Sequence, residues 1–265
     1  NNTGNLNTSK VTDMAGMFQN CSSLTNLSIS SWNVSNVKDM SGMFNGCDEL
    51  KTVNIEKWNT SNVEKMHYMF AYCPKLTEVV GINKINTSKV TDMSGMFCGC
   101  ETMDWAPLDN FTSEKLISVS DMFSGCSKME EINLNGIEGM KLTYTSGMFA
   151  GCKSMTHLHI KSLTCDDENL TYKNNYSGMF TGVPDLQYCD ISYGLVDKIK
   201  DQIPGKVYPQ YDENYIVVYG TLTDKPTTFS LTTTPSVTTT VVYDPISHTY
   251  VTTELGTNSN SNSNS

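Results

Sequence analysis

Arginine is missing from this chain. All 18 strongly basic side chains are lysines, set against 28 Asp and Glu, for a formal net charge of −10. Arginine makes the bidentate contacts to phosphate and guanine, and a basic stripe is the footprint of nucleic-acid binding. Lacking both, the chain is not expected to bind nucleic acid, and an acidic surface is also repelled by anionic lipid headgroups. Long apolar runs are missing too, so no direct membrane insertion is expected. The chain opens on Asn1 with neither a charged nor an apolar leader. It therefore reads as a soluble fragment or processed form, with any export signal or anchor outside it. Chemistry-bearing motifs are equally scarce: no G-x-S-x-G, no H-E-x-x-H and no phosphate loop occurs. No enzyme activity and no cofactor is expected.

What the chain has instead is repetition. Met-Phe recurs at Met17–Phe18, Met43–Phe44, Met69–Phe70, Met96–Phe97, Met122–Phe123, Met148–Phe149 and Met179–Phe180, in steps of 26, 26, 27, 26, 26 and 31 residues. Three residues after each Phe of the first six copies stands Cys21, Cys47, Cys73, Cys100, Cys126 or Cys152; the seventh copy has Val183. Apolar columns continue at Leu24, Leu50, Leu76, Met103, Met129, Met155 and Leu186. A further column holds Leu27, Val53, Val79, Ala106, Ile132, Leu158 and Cys189. Two residues on lie Ile29, Ile55, Leu108, Leu134, Ile160 and Ile191, with Gly81 in the third copy.

The spacing within a unit changes period. Val11, Met14, Met17, Phe18 and Cys21 fall on one face of a helix or helical turn, whereas Leu27 and Ile29 alternate as in a strand. Each unit therefore predicts a short helix and a short strand joined by turns. One unit cannot bury its own apolar face, so copies must stack, each covering the next, with like residues forming ladders. Asn7, Asn33, Asn59 and Asn86, each followed two residues later by Ser, are expected to form turn rungs. The expected fold is an α/β repeat, a right-handed leucine-rich-repeat-like solenoid of about seven coils over residues 1–192. A cap over 193–225 follows, with a short helix at Leu195–Ile203 and one strand or two within 207–222. Residues 226–265 form a Thr-rich β segment and a low-complexity Asn/Ser tail.

The unit W-N-(T/V)-S-N-V-x-x-M-x-x-M-F-x-x-C-x-x-L-x-x-L-x-I, clearest over 32–55 and 58–79, resembles the 26-residue repeat of bacterial surface proteins in the BspA-like leucine-rich-repeat group. The resemblance covers roughly residues 6–192. It implies a surface-displayed or secreted protein, of the kind found among mycoplasma-type lipoproteins, with adhesion to host or neighbouring cells as its role. It carries no catalytic residues over. The seventh unit departs from it, with an insertion around Asp166–Asn175, as a terminal coil would.

Nine cysteines invite disulfides or zinc, but six stand in one ladder column, where parallel stacking seldom offers disulfide torsion. They are expected to be buried, reduced thiols. Cys98-Gly99-Cys100 is too short a motif for a zinc site. His157 and His159 alternate with Leu158 and Ile160, so both should face outward from a strand. A metal there is the alternative to plain surface histidines. The candidate partner-binding residues are the outward strand positions Trp105, Glu131, Asn133, His157, His159 and Tyr188, where aromatic types suit recognition. Trp105 could instead fold back over Ala106-Pro107. The expected function is extracellular, adhesin-like binding of a protein or glycan on another cell or matrix. The alternative is a surface coat or fibre subunit that self-associates through the β-rich tail.

Overall fold

The computed structural model describes residues 6–104, 108, 111–135, 139–165, 176–184, 186–192, 195, 199, 201–204, 216–220, 228–234, 237–244 and 249–255. Among the described residues, the first three copies and the last three each contribute a short extended segment that pairs in parallel with that of the neighbouring copy. Strands β1 (Asn26–Leu27), β2 (Thr52–Asn54) and β3 (Glu78–Val80) form one sheet in that order, with Leu27 opposite Val53 and Val53 opposite Val79. A second sheet sets β4 (Glu131–Asn133), β6 (His157–Ile160) and β8 (Tyr188–Ser192) side by side. Beside it, β5 (Gly139–Leu142) pairs with β7 (Leu163–Cys165). On a different side of each unit, parallel bridges link Asp13, Asp39, Lys65, Asp92, Ser118 and Tyr144 in a single line.

The helix expected over Val11–Cys21 and its counterparts is not formed; the segment is a ribbon of turns. Its amides alternate between two kinds of partner. Met14, Gly16, Phe18 and Asn20 donate to the carbonyls of Asp39, Ser41, Met43 and Asn45 in the next copy, at 2.7–2.9 Å. Met17, Gln19 and Cys21 donate back three residues within their own copy, to Met14, Gly16 and Phe18. A three-residue step keeps the same residues inward as a helix would, which is why the periodicity looked helical. The difference lies in two positions per ribbon with positive φ, such as Gly42 (φ 60) and Gly46 (φ 73), which a right-handed helix cannot contain. Tyr68 (φ 54) and Tyr72 (φ 53) occupy the same two columns in the third copy. A bulky residue held there costs about 1–3 kcal/mol.

Inside the stack, like residues meet. The rings of Phe18, Phe44, Phe70, Phe97, Phe123 and Phe149 lie one above the next, centroids 5.4–6.1 Å apart and planes within 12°. The ladder cysteines from Cys47 to Cys152 are buried and free, as expected, whereas Cys21, in the first copy with no coil before it to cover it, is exposed. Their thiols are also structural donors. Cys47, Cys73, Cys100, Cys126 and Cys152 each place Sγ 3.1–3.2 Å from the Phe carbonyl of the preceding copy. The polar rungs form as read: Asn33, Asn59 and Asn86 accept the amide of the Ser two residues on, and Asn36 and Asn62 tie to Ser9 and Ser35 of the copy before.

At the C-terminal end Leu195, Ile199 and Ile203 are buried, the first two in helical conformation. Strand β9 (Ile216–Gly220) pairs antiparallel with β8. The Thr-rich segment makes an antiparallel sheet of β10 (Thr228–Thr234), β11 (Val237–Asp244) and β12 (Thr249–Leu255). The insertion at 166–175 and the tail from 256 lie outside the described residues.

Candidate functional site

Register fixes the site. Across β4, β6 and β8, Glu131 stands opposite His157 and His157 opposite Tyr188; in the next outward column Asn133, His159 and Asp190 are aligned. Between the two columns Ile132, Leu158 and Cys189 point into the core and are buried. Strand alternation thus puts a core residue and a surface residue in turn, and parallel pairing about 4.8 Å apart brings the surface residues of three copies together.

The His159 ring is the centre of the cluster. Its Nδ1 lies 3.1 Å from Asp190 Oδ2, and its Nε2 lies 3.5 Å from Glu131 Oε1. Tyr188 leans over it with ring centroids 5.0 Å apart and faces His157 at 6.3 Å. The hydrogen bond to Asp190 raises the pKa of His159 above its ordinary 6.5, against the opposing effect of burial. The Tyr188 phenol is pushed up to about 12, first by burial and then by the Asp190 carboxylate, so it is a hydrogen-bond donor at neutral pH. His157 Nδ1 pairs with Thr156 Oγ1 at 2.9 Å.

Four of the six sequence-derived candidates, Glu131, His157, His159 and Tyr188, are therefore neighbours. Asn133 sits in the same sheet, but its Oδ1 accepts the Asn135 amide at 3.0 Å and closes a turn. Trp105 lies outside the described residues. Asp190, aligned with His159, joins the cluster without having been a sequence-derived candidate. It is buried, and its two oxygens serve His159 Nδ1 and the Ile160 amide (3.0 Å). Its strand position beside Cys189 put it in the outward column, and nothing in the sequence signalled its burial.

A serine, a histidine and an aspartate also meet elsewhere, at Ser41, His67 and Asp92. Ser41 Oγ is 3.0 Å and Asp92 Oδ2 3.7 Å from the same nitrogen, Nδ1 of His67. A proton relay needs the acid and the nucleophile on opposite ring nitrogens, so this group is not a catalytic triad. Among the described residues no three His, Cys, Asp or Glu side chains are placed to hold a metal ion, and no helix is long and apolar enough to cross a membrane.

These features define a class: a tandem-repeat protein with its candidate site on an open sheet face instead of in a closed cleft. The chain belongs to the family described as Mycoplasma protein of unknown function, DUF285, which matches residues 1–81 and 76–189. No curated protein and no solved structure matches it.

Proposed function

We propose that this chain is a BspA-like, right-handed leucine-rich-repeat-like solenoid, displayed outside the cell, that works as an adhesin-like binding protein and not as an enzyme. Its partner is a protein or glycan on another cell or matrix. The observation that carries this reading is the His157–His159–Tyr188–Glu131 cluster. It combines aromatic surface, an exposed carboxylate and imidazoles on a flat face with backbone fixed by the stack, the kind of preorganised patch on which a few residues dominate binding. The test is binding of the intact chain to host cells, matrix proteins and immobilised glycans, beside a Glu131→Ala/His157→Ala/Tyr188→Ala variant. Asp190 and His159 are kept, so that the sheet is not unsettled. Binding lost only in the variant supports the reading; equal binding by both moves the contact off this face.

One observation favours the second reading, a coat or fibre subunit. In the order β10-β11-β12, strands β10 and β12 are each paired along one side among the described residues, and such edges are templates for pairing with another chain. Sedimentation over rising concentration separates the two: assembly that vanishes when residues 226–265 are removed favours the subunit.

A further inference from the structure

We propose that the turn ribbons of the first three copies carry a second binding site, away from the strand face, whose ligand is a neutral saccharide. A groove of about 360 Å³ crosses these copies, with Gly16, Gly42, Gln19, Asn45, His67 and Tyr68 in its lining. That volume is within the range of small-molecule sites, about 300–1,000 Å³.

Tyr68, like Tyr72, is a residue the fold does not explain. Its column needs positive φ and is filled by Gly16, Gly42, Gly95, Gly147 and Gly178 in five other copies. Tyrosine there is strained, yet it contributes little to the core, being 37% exposed with its ring lying over Gly95. Strain at an exposed aromatic residue beside a groove points to a role outside folding. The ring supplies what the C–H face of a pyranose stacks on.

The rest of the lining matches hydroxyl chemistry. Among the described residues neither the Gln19 nor the Asn45 side-chain amide has a hydrogen-bond partner, and each presents both donors and an acceptor, as vicinal hydroxyls require. His67 is held through Nδ1 by Ser41 Oγ at 3.0 Å, which orients the ring. No lysine lines the groove, so a phosphate, sulfate or sialic carboxylate finds no counter-charge. An acyl chain would leave the Gln19 and Asn45 amides without partners.

The experiment is binding of the full chain to an array of neutral, sialylated and sulfated oligosaccharides, followed by titration of whichever neutral sugar is held. Tyr68→Gly restores the residue used by other copies, so it is expected to keep or raise the melting temperature while weakening the sugar at least about tenfold, as loss of a central aromatic contact does. Asn45→Ala weakens it too. Tyr72→Gly gives the same relief of strain outside the groove and leaves sugar binding unchanged. The sugar shown on a protein carrier and on a lipid vesicle is captured equally. The proposal is overturned by an array on which only charged sugars or none are held, by Tyr68→Gly binding like the unaltered chain, or by capture that follows the carrier.

Discussion

Asp190 reaches across from β8 to β6 and holds His159 by its Nδ1 at 3.1 Å, while its other oxygen takes the amide of Ile160, the residue next in the strand. One buried carboxylate thus ties the side chain and the backbone of the preceding copy to the last parallel strand. The pH dependence follows from the sign of the shift. Because His159 binds its proton more tightly folded than unfolded, its stabilisation is complete below the ordinary value of 6.5. That stabilisation is lost as the pH rises through the raised folded value. Urea midpoints should place His159→Gln below the unaltered protein by about 1 kcal/mol in mild acid, with the gap closing in mild alkali. A gap that widened with pH would contradict the pairing. Asp190→Ala should cost more, about 2–3 kcal/mol, because the Ile160 amide is left buried without a partner.

The thiol ladder makes a second prediction. Burial, the largest cause, pushes Cys47 up to about 11 and Cys73 and Cys152 up to about 12, and raises Cys100 and Cys126 as well. The thiolate is the reactive form, so these cysteines should resist alkylation in the folded protein. Cys21, exposed at the open end of the ladder, should react first. Peptide mapping after a short pulse of iodoacetamide checks this, and early modification of Cys100 would mean that the copies separate in solution.

The ladders were legible because every copy repeats the same spacing, and a column that recurs seven times must pack against itself. Leu158 and Ile160 inward with His157 and His159 outward followed from alternation alone. The ribbon was misread because a helix and a run of three-residue turns both return the same residues to the core. Glycines two residues before and two after the Phe, as at Gly42 and Gly46, were the discriminating signal. The role of Asp190 was not legible. Its burial depends on which amide and which imidazole the neighbouring strand presents, and that is settled by pairing between residues about thirty positions apart.

Gly81 and Tyr72 should respond in opposite directions. Gly81 stands where other copies have Ile or Leu, and its φ of 87 starts the 3-10 turn Ile82–Lys84. A Cβ there would fall 2.7 Å from the Glu56 backbone nitrogen and closer still to its Cα. Gly81→Ala combines left-handed strain with a backbone clash and should cost about 3 kcal/mol. Tyr72→Gly removes strain at φ 53 from a side chain 55% exposed, and should stabilise by about 1 kcal/mol. Urea midpoints at constant m-value read both changes.

The Phe ladder makes the last prediction, since stability in a stack is the sum of its units and the interfaces between neighbours. Phe97 is fully buried, with Phe70 on one side at 5.7 Å and Phe123 on the other at 5.8 Å. Truncation to Ala removes both ring contacts and leaves a cavity, costing about 3–5 kcal/mol. Phe18 has Phe44 on one side and Trp32 beside it, and is itself partly exposed at the N-terminal end. Its truncation should cost about 1–2 kcal/mol. Hydrogen exchange separates a local loss from a global one. The Phe70 and Phe97 amides bond across successive copies, to Met96 and Met122, and Phe97→Ala should speed both. Phe18→Ala should speed the Phe18 amide, which bonds Met43, and leave Phe97 protected. Equal acceleration at both ends in either variant would mean that the copies unfold as one unit and that the nearest-neighbour account is wrong.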